Sequence, residues 1–301
     1  MNVRIGHSSN LQCITLNDQV SPSYAYSYWF REGCIVFCFR EQKQFFSLFL
    51  HKTYCMLNFF SKKEYLIDHL GGLVDIHNHI LPGIDDGARS VDDSLALIKG
   101  FGEFGVTRFV CTPHIMHNYY PNTPETIQES FEKLKNALNQ SGMDEVSLDK
   151  AAEHMIDDNF EELLHHDQIM PLTRYHLLVE MSFLQPPINM NTALDKIISK
   201  GLFPVLAHPE RYLFLSSSSK RLKSYKEKGV LFQVNLLSLA DYYGSDVKSK
   251  ALKLMENNLI DFVGSDVHNM QQLKSLKEAT ITKKTGKMLH TLVNDTIEQF
   301  Y

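Results

Sequence analysis

Histidine and carboxylate residues recur in this chain where metal chemistry would need them, just beyond short apolar runs. His77, His79, Asp85 and Asp86 follow the run at 73–76, and His114 follows 107–112. Glu153 comes after 146–151, Glu180 closes 176–181, His208 follows 203–207, and Asp266 and His268 follow 259–263. Imidazole suits zinc, iron and manganese, carboxylate suits magnesium and manganese, and the lack of thiolate argues against a structural zinc site. In Asp75-Ile76-His77-Asn78-His79 the imidazoles stand two residues apart. In an extended segment that puts both on one side, where one ion can take both. The set suffices for roughly two or three ions bridged by Glu, and clustered ions activate water and neutralise phosphate, as phosphoester hydrolysis requires.

The elements that must position these residues follow from the same pattern. The apolar runs read as strands near 73–76, 107–112, 146–151, 176–181, 203–207, 231–235 and 259–263. Ser90 and Asp93 resemble a capping box ahead of Leu95, Ile98 and Phe101. Thr123-Pro124-Glu125 opens a helix with the stripe Ile127, Phe131, Leu134 and Leu138, which Gly142 stops. Further helices are expected near 158–166, 190–200, 218–228, 247–257 and 285–299, with Gly201 and Gly229 as stop signals. Alternating strands and helices predict a parallel sheet with right-handed crossovers, an α/β fold that would close as a (β/α) barrel. In such a barrel the strand ends that carry the ligands meet at one face.

Single members of the set are weaker than the whole. Asp85-Asp86-Gly87 alone is a turn signal. Glu180, ringed by Leu177, Leu178, Val179 and Met181, is costly inside an apolar strand unless a cation or metal pairs with it. His117, His165 and His166 are assigned to solvent or packing, and His154 to the side of its strand opposite Glu153. Arg211, directly after His208-Pro209-Glu210, stays near a strand mouth where its guanidinium can grip phosphate oxygens. Tyr119 and Tyr120 lie on a loop able to rim the pocket and stack on an aromatic substrate. Cys111 lacks the glycine-rich, arginine-ended loop of a cysteine phosphatase and reads as a strand end. Its replacement by Ser is expected to leave activity nearly intact.

Composition sets limits. A net charge of -5 and a pI near 6.3 argue against a nucleic-acid binder relying on a broad basic face. Residues 1–55 differ from the rest: they are aromatic-rich, hold Trp29 and four of the five Cys, and show neither strand alternation nor a helical stripe. The apolar run 45–50 is too short for a membrane span, so no stable membrane insertion is expected. An accessory segment, a membrane-surface anchor and a disordered tail are readings of this stretch, but the favoured one is a non-native extension with translation starting at Met56. One Cys in the main body suits a reducing compartment.

The motifs Asp75-Ile76-His77-Asn78-His79, Pro82-Gly83-Ile84-Asp85-Asp86-Gly87, Thr112-Pro113-His114, Ala152-Glu153, Val179-Glu180, Ala207-His208-Pro209-Glu210-Arg211 and Gly264-Ser265-Asp266-Val267-His268-Asn269 occur in that order. Residues 56–300 thereby resemble the bacterial manganese-dependent protein-tyrosine phosphatases of the polymerase and histidinol phosphatase (PHP) superfamily. The resemblance implies a distorted TIM-like (β/α)7 barrel over 56–301 and a cytoplasmic phosphatase. Its protein substrate would carry phosphotyrosine, as on a tyrosine autokinase of capsule or exopolysaccharide synthesis. It implies a trinuclear manganese site (iron, zinc or magnesium being alternatives) with ligands His77, His79, Asp86, His114, Glu153, Glu180, His208, Asp266 and His268. Asp85 would support the ligands, Asp86 and Arg211 would be catalytic, and Arg211 would bind the substrate phosphate. Attack by a metal-bound hydroxide without a phospho-enzyme is the expected mechanism. Some members carry another arginine just past the last Asp-x-His; Asn269-Met270-Gln271-Gln272-Leu273-Lys274 has none, so either Lys274 replaces it or phosphate is held differently. The alternatives are a PHP phosphatase of a small molecule, such as histidinol phosphate or a sugar phosphate, and a non-catalytic interaction module. Oligomeric state is left open.

Overall fold

The computed structural model describes four strands within residues 2–38, then residues 63–215 and 220–301. The apolar run 45–50, Met56 and the serine run 216–219 lie outside the described residues. The chain divides into two compact units, Met1–Ser61 and Lys62–Tyr301. In the first unit β1 (Asn2–Ser8), β2 (Leu11–Asn17), β3 (Tyr26–Arg31) and β4 (Cys34–Cys38) pair antiparallel in chain order. These strands were not legible from alternation. Aromatic residues such as those of Tyr26–Arg31 favour strands by propensity, without a period of two.

The second unit begins with a small antiparallel pair, β5 (Lys63–Tyr65) against β15 (Thr280–Thr282). Its main body is parallel. β6 (Val74–Asp75), β7 (Arg108–Cys111) and β9 (Ser147–Lys150) form one sheet. The other has the order β14-β13-β12-β11-β10-β8, where β8 is His114–Ile115, β10 Glu153–Met155, β11 His176–Glu180, β12 Phe203–Ala207, β13 Leu231–Asn235 and β14 Phe262–Gly264. β7 and β8 are two halves of one chain path, broken at Thr112-Pro113, where proline has no N–H to give the ladder. β9 and β10 break likewise at Ala151-Ala152, but the path stays bonded: Ala151 N–H donates to the Cys111 carbonyl at 2.8 Å and Glu153 N–H to the Pro113 carbonyl at 3.0 Å. Past β6 and β14, Asp266 N–H donates to the His77 carbonyl at 2.7 Å, His79 N–H donates to the Val267 carbonyl at 3.1 Å, and Asn78 and Val267 form a parallel bridge. The result is a curled parallel sheet in a mixed α/β unit.

Helices follow the strands as expected. α1 (Val91–Gly102) is capped by Ser90, whose hydroxyl accepts from Asp93 N–H, and α2 (Pro124–Gln140) by a reciprocal Thr123/Thr126 box. Ile127, Phe131, Leu134 and Leu138 are its buried stripe. α3 (Phe160–His165), α4 (Met190–Ser199), α5 (Lys220–Glu227), α6 (Ser245–Glu256) and α8 (Lys283–Phe300) match the remaining expectations. α7 (Met270–Glu278) was not expected: Leu273 and Leu276 are its buried residues, too few in a polar segment to show a period.

Two cores result. The larger lies between strands and helices; the smaller is made by strand residues such as Val110, Leu178, Val205 and Ala207, with Phe300 packed against it. Leu177 and Val179 belong to the first, and Leu178 between them to the second. Period-two alternation therefore carries Glu180, at the end of β11, onto the face of the smaller core. The same parity places His114 with Val110, and Glu153 with Ala151.

Candidate metal centre

The expected ligands do meet. His77 Nε2 lies 3.2 Å from Glu153 Oε2 and 3.4 Å from Asp266 Oδ1. His79 Nε2 lies 3.5 and 3.3 Å from the same two oxygens, so the two-residue spacing does bring both imidazoles to one place. His114 Nδ1 stands 3.1 Å from Glu153 Oε2 and 3.0 Å from Glu180 Oε1, and His208 Nε2 3.0 Å from Glu153 Oε1. Asp86 Oδ1 is 3.5 Å from His114 Nε2 and 3.6 Å from His268 Nε2. Glu153 is the hub, wholly buried under its imidazole neighbours.

His208 Nε2 and Glu153 Oε1 are hydrogen-bonded, but most of the other atoms are close without being bonded. His77 Nε2, His79 Nε2, His114 Nδ1, Glu153 Oε2 and Glu180 Oε1 are buried and have no hydrogen-bond partner. An unsatisfied buried polar atom is costly, and so many aimed at common points require an explanation. Donor atoms about 2.1 Å from a shared ion stand about 3.0–3.5 Å from each other, which is the spacing found. The donors fall into groups that could each hold an ion: His79, Asp86, His114 and His268; His77, His79 and Asp266; His77, Glu153 and His208; His114, Glu153 and Glu180. All nine expected ligands appear in these groups, with Glu153, His77, His79 and His114 shared. The residues present fit divalent ions.

Without ions the charges compensate one another. Burial pulls the His77 imidazole down, but the Glu153 and Asp266 carboxylates outweigh it and raise it to about 9. His79 and His114 are likewise held well above the usual imidazole range against burial, by Asp85 and by Glu180 with Glu153 respectively. Glu153 and Asp266 are held far below ordinary carboxylates despite burial, chiefly by His77. His268 goes the other way, lowered by burial and by the His79 ring stacked on it at 3.9 Å.

A second layer fixes the first. Asp85 Oδ2 is 2.8 Å from His79 Nδ1 and accepts from His114 N–H at 3.2 Å, beside two of the expected ligands. His77 Nδ1 meets Gln233 Oε1 at 2.7 Å, Gln233 Nε2 donates to Asn235 Oδ1 at 3.0 Å, and Asn235 Nδ2 donates to Asp266 Oδ2. Asp75 accepts from the Ser265 hydroxyl at 2.6 Å and from Ser265 N–H at 2.9 Å, with burial pushing its carboxyl up to about 6. Glu210 accepts Asn235 N–H at 3.0 Å. Sequence reasoning passed over Asp75, Glu210, Gln233, Asn235 and Ser265. The rule that picked out Glu180, a polar residue inside an apolar strand, would have found Gln233 and Asn235. His208 and Asp266 hold left-handed backbones, φ 35° and 53°, which L-residues rarely adopt and which gather at functional sites.

A cleft of about 800 Å³ opens over the cluster, lined among others by Asp86, Tyr119, Tyr120, Phe183, Arg211 and Tyr243. Tyr120 stacks on His114 with ring centres 5.4 Å apart, and Tyr119 is exposed at the rim. Arg211 Nη1 donates to Asp266 Oδ2 at 2.9 Å. Lys274 does not line this cleft; it is exposed on α7 opposite Glu278 at 3.9 Å, and Asn269 and Gln272 are what that segment brings to the wall. His154 faces away, with Nδ1 toward the Leu178 carbonyl at 3.1 Å and Nε2 accepting from Met170 N–H at 3.2 Å. His117, His165 and His166 stay outside the cluster. Cys111 is fully buried, and burial pushes its thiol upward. Cys111→Ser is therefore expected to keep turnover within about threefold of the parent in steady-state assays, since a buried protonated thiol is inert. A collapse in a folded variant would overturn that.

Residues 73–296 match the family model described as capsular polysaccharide synthesis, CpsB/CapC. The chain is 33% identical over 201 residues to the tyrosine-protein phosphatase YwqE of Bacillus subtilis (strain 168), covering 66% of this chain and 78% of the relative. With the tyrosine-protein phosphatase CpsB of Streptococcus pneumoniae it shares 30% identity over 205 residues, 66% of this chain and 84% of the relative. Among solved structures it is similar, with a TM-score of 0.66 and 30% identity, to a chain from the crystal structures of YwqE and CpsB, called unique metal-dependent tyrosine phosphatases. That match covers 76% of this chain and 94% of the other.

Proposed function

The chain belongs to the CpsB/CapC family of capsular polysaccharide synthesis proteins, and from that premise we propose that it is a metal-dependent protein-tyrosine phosphatase. One observation carries the chemistry: buried imidazole and carboxylate atoms converge, unbonded, at the floor of an open cleft. The nine ligands are His77, His79, Asp86, His114, Glu153, Glu180, His208, Asp266 and His268, and the ions about three manganese. The unit acts as a distorted TIM-like (β/α)7 barrel, a reading supported by the hydrogen bonds that join the β6 and β14 ends. Catalysis is assigned to residues 56–301, with 1–55 dispensable. The substrate is a phosphotyrosine protein, a tyrosine autokinase by family kinship, met in the cytoplasm. The free thiol of Cys111 suits a reducing compartment.

Divalent ions bound here would supply charge against the phosphate and an activated water. The chain's own part is binding and orientation. Arg211, anchored on Asp266, directs its free N–H groups at the phosphoryl oxygens. Asp86, half-exposed between His114 and His268, orients the attacking water and takes up its proton. Tyr119 and Tyr120 offer aromatic faces to the substrate ring.

The test is hydrolysis of a phosphotyrosyl peptide by metal-stripped protein resupplied with manganese. Turnover should require the metal and vanish in a folded His77→Ala His79→Ala variant. Folded, metal-loaded protein that spares the peptide but cleaves small phosphomonoesters would shift the substrate to a small molecule.

Metal loading should also release protons. Metal-free His77 titrates near 9, and His79 and His114 above the ordinary range, so near neutral pH these imidazoles are protonated. Ligation needs them neutral. Metal affinity is therefore expected to rise with pH up to about 9, with about two or more protons expelled per molecule near pH 7.5. Manganese titration in weakly buffered indicator dye measures both, and affinity flat from about pH 6 to 9 would contradict the assignment.

A further inference from the structure

Arg211 is the one Lys or Arg among the described residues lining the cleft, so how it is held bears on every anionic substrate. Its guanidinium carbon lies 4.4 Å from the centre of the Phe183 ring and 4.5 Å from that of the Tyr243 ring. Among the described residues those two rings make no ring contact with each other, so each meets the guanidinium on its own. Its Nη1 is tied to Asp266 at 2.9 Å, and its side chain is 23% exposed. A planar cation flanked by rings and fixed at one edge keeps its remaining N–H groups in one direction, and here the open direction is the cleft.

We propose that Phe183 and Tyr243 are positioning residues that clamp Arg211, so that its free edge meets the substrate phosphate already oriented. This rests on the assignment of the substrate phosphate to Arg211. Asp266 joins the two parts of the site: Oδ1 faces His77 and His79, and Oδ2 takes Arg211 and Asn235. The clamp therefore fixes the phosphate grip relative to the metal cluster. A guanidinium that swings freely must lose that freedom on binding, which weakens anion affinity without altering the ligands. The rings also lie in separate segments. Phe183 sits in the loop after β11, and Tyr243 in the loop before α6. Each can be truncated alone.

The experiment uses the full chain loaded with manganese, a phosphotyrosyl peptide as substrate and inorganic phosphate as inhibitor. Tyr243→Ala should raise KM and the phosphate Ki about tenfold while kcat stays within about threefold, and Tyr243→Phe should restore both constants. In an Arg211→Ala background, Tyr243→Ala should add nothing further. Phe183→Ala, at a ring 37% exposed, repeats the test should Tyr243→Ala fail to fold. A phosphate Ki unchanged in both folded ring variants overturns the clamp. So does a Tyr243 effect that persists in full without Arg211. Should the parent chain hydrolyse nothing, the phosphatase reading fails separately. The clamp is then judged by the Arg211 Nε–Hε resonance of magnesium-loaded protein titrated with inorganic phosphate. About tenfold weaker binding in the ring variants supports it, and equal binding overturns it.

Discussion

Glu153→Gln is expected to cost about a thousandfold in turnover of a phosphotyrosyl peptide and to strip ions from more than one of the donor groups. The substitution keeps shape and volume, so its effect is one of charge. Glu153 Oε2 stands 3.2 Å from His77, 3.5 Å from His79 and 3.1 Å from His114, and Oε1 3.0 Å from His208. An amide there cannot accept from all four, and its NH2 would aim hydrogens at nitrogens that must present lone pairs to metal. Removing one partner from a buried charge set costs about 3–5 kcal/mol, a factor of roughly a hundred to a few thousand in affinity. Metal content by elemental analysis, the manganese-induced rise in Tm and turnover should all fall together. Full metal occupancy with turnover within about tenfold of the parent would remove Glu153 from its place as bridge.

Glu153 was legible in the sequence as a carboxylate just beyond an apolar strand, and alternation along that strand then set His154 apart from it. Ala151 and Glu153 share one face and Ala152 and His154 the other, so reading the parity was enough to separate the expected ligand from its neighbour, which bonds into the helix-covered side. Glu180 after Leu178 follows the same logic. His208 does not. Its parity with Leu206 would send it toward the helices, and the left-handed backbone at φ 35° is where the alternation breaks. A strand pattern contains no sign of such a turn; what marked His208 was its place just beyond the apolar run 203–207, with the motif Ala207-His208-Pro209-Glu210-Arg211 in support. Gln233 and Asn235 were legible as polar residues in an apolar strand but were passed over, while the support provided by Ser265 was missed because hydrogen-bond partners distant in the chain leave no periodic trace. The same holds for the Phe183 and Tyr243 rings beside Arg211. The short helix α7, with two buried leucines, and the brief pairing of β5 with β15 escaped because tertiary contacts, not local propensity, sustain them.

Gly87→Ala should damage one edge of the cluster and spare the rest, the reverse of the Glu153 result. Asp85-Asp86-Gly87 reads as an ordinary turn, but here the glycine answers to space rather than to dihedral angle. A Cβ at Gly87 would sit 2.0 Å from the His79 carbonyl oxygen, 2.5 Å from His79 Cβ and 2.9 Å from Asp85 Oδ1. The first contact is with backbone, so the turn itself must withdraw. Ala88 N–H, which donates to that same carbonyl at 3.0 Å, would go with it. Asp85 would loosen its hold on His79 and His114, and Asp86 would leave its place between His114 and His268. Overpacking of this kind costs about 1–3 kcal/mol or more in stability. The expected product is a folded protein that binds one ion fewer and turns over about a hundredfold more slowly, because the half-exposed carboxylate no longer faces the cleft. The group of His77, Glu153 and His208 has no ligand in common with this turn and should load normally, whereas the group of His114, Glu153 and Glu180 meets the turn through His114. Counting ions per chain in the two variants separates the cases. Equal losses in both would mean that the groups fill as one unit, whereas a full complement in Gly87→Ala would place Asp86 outside the ligand set.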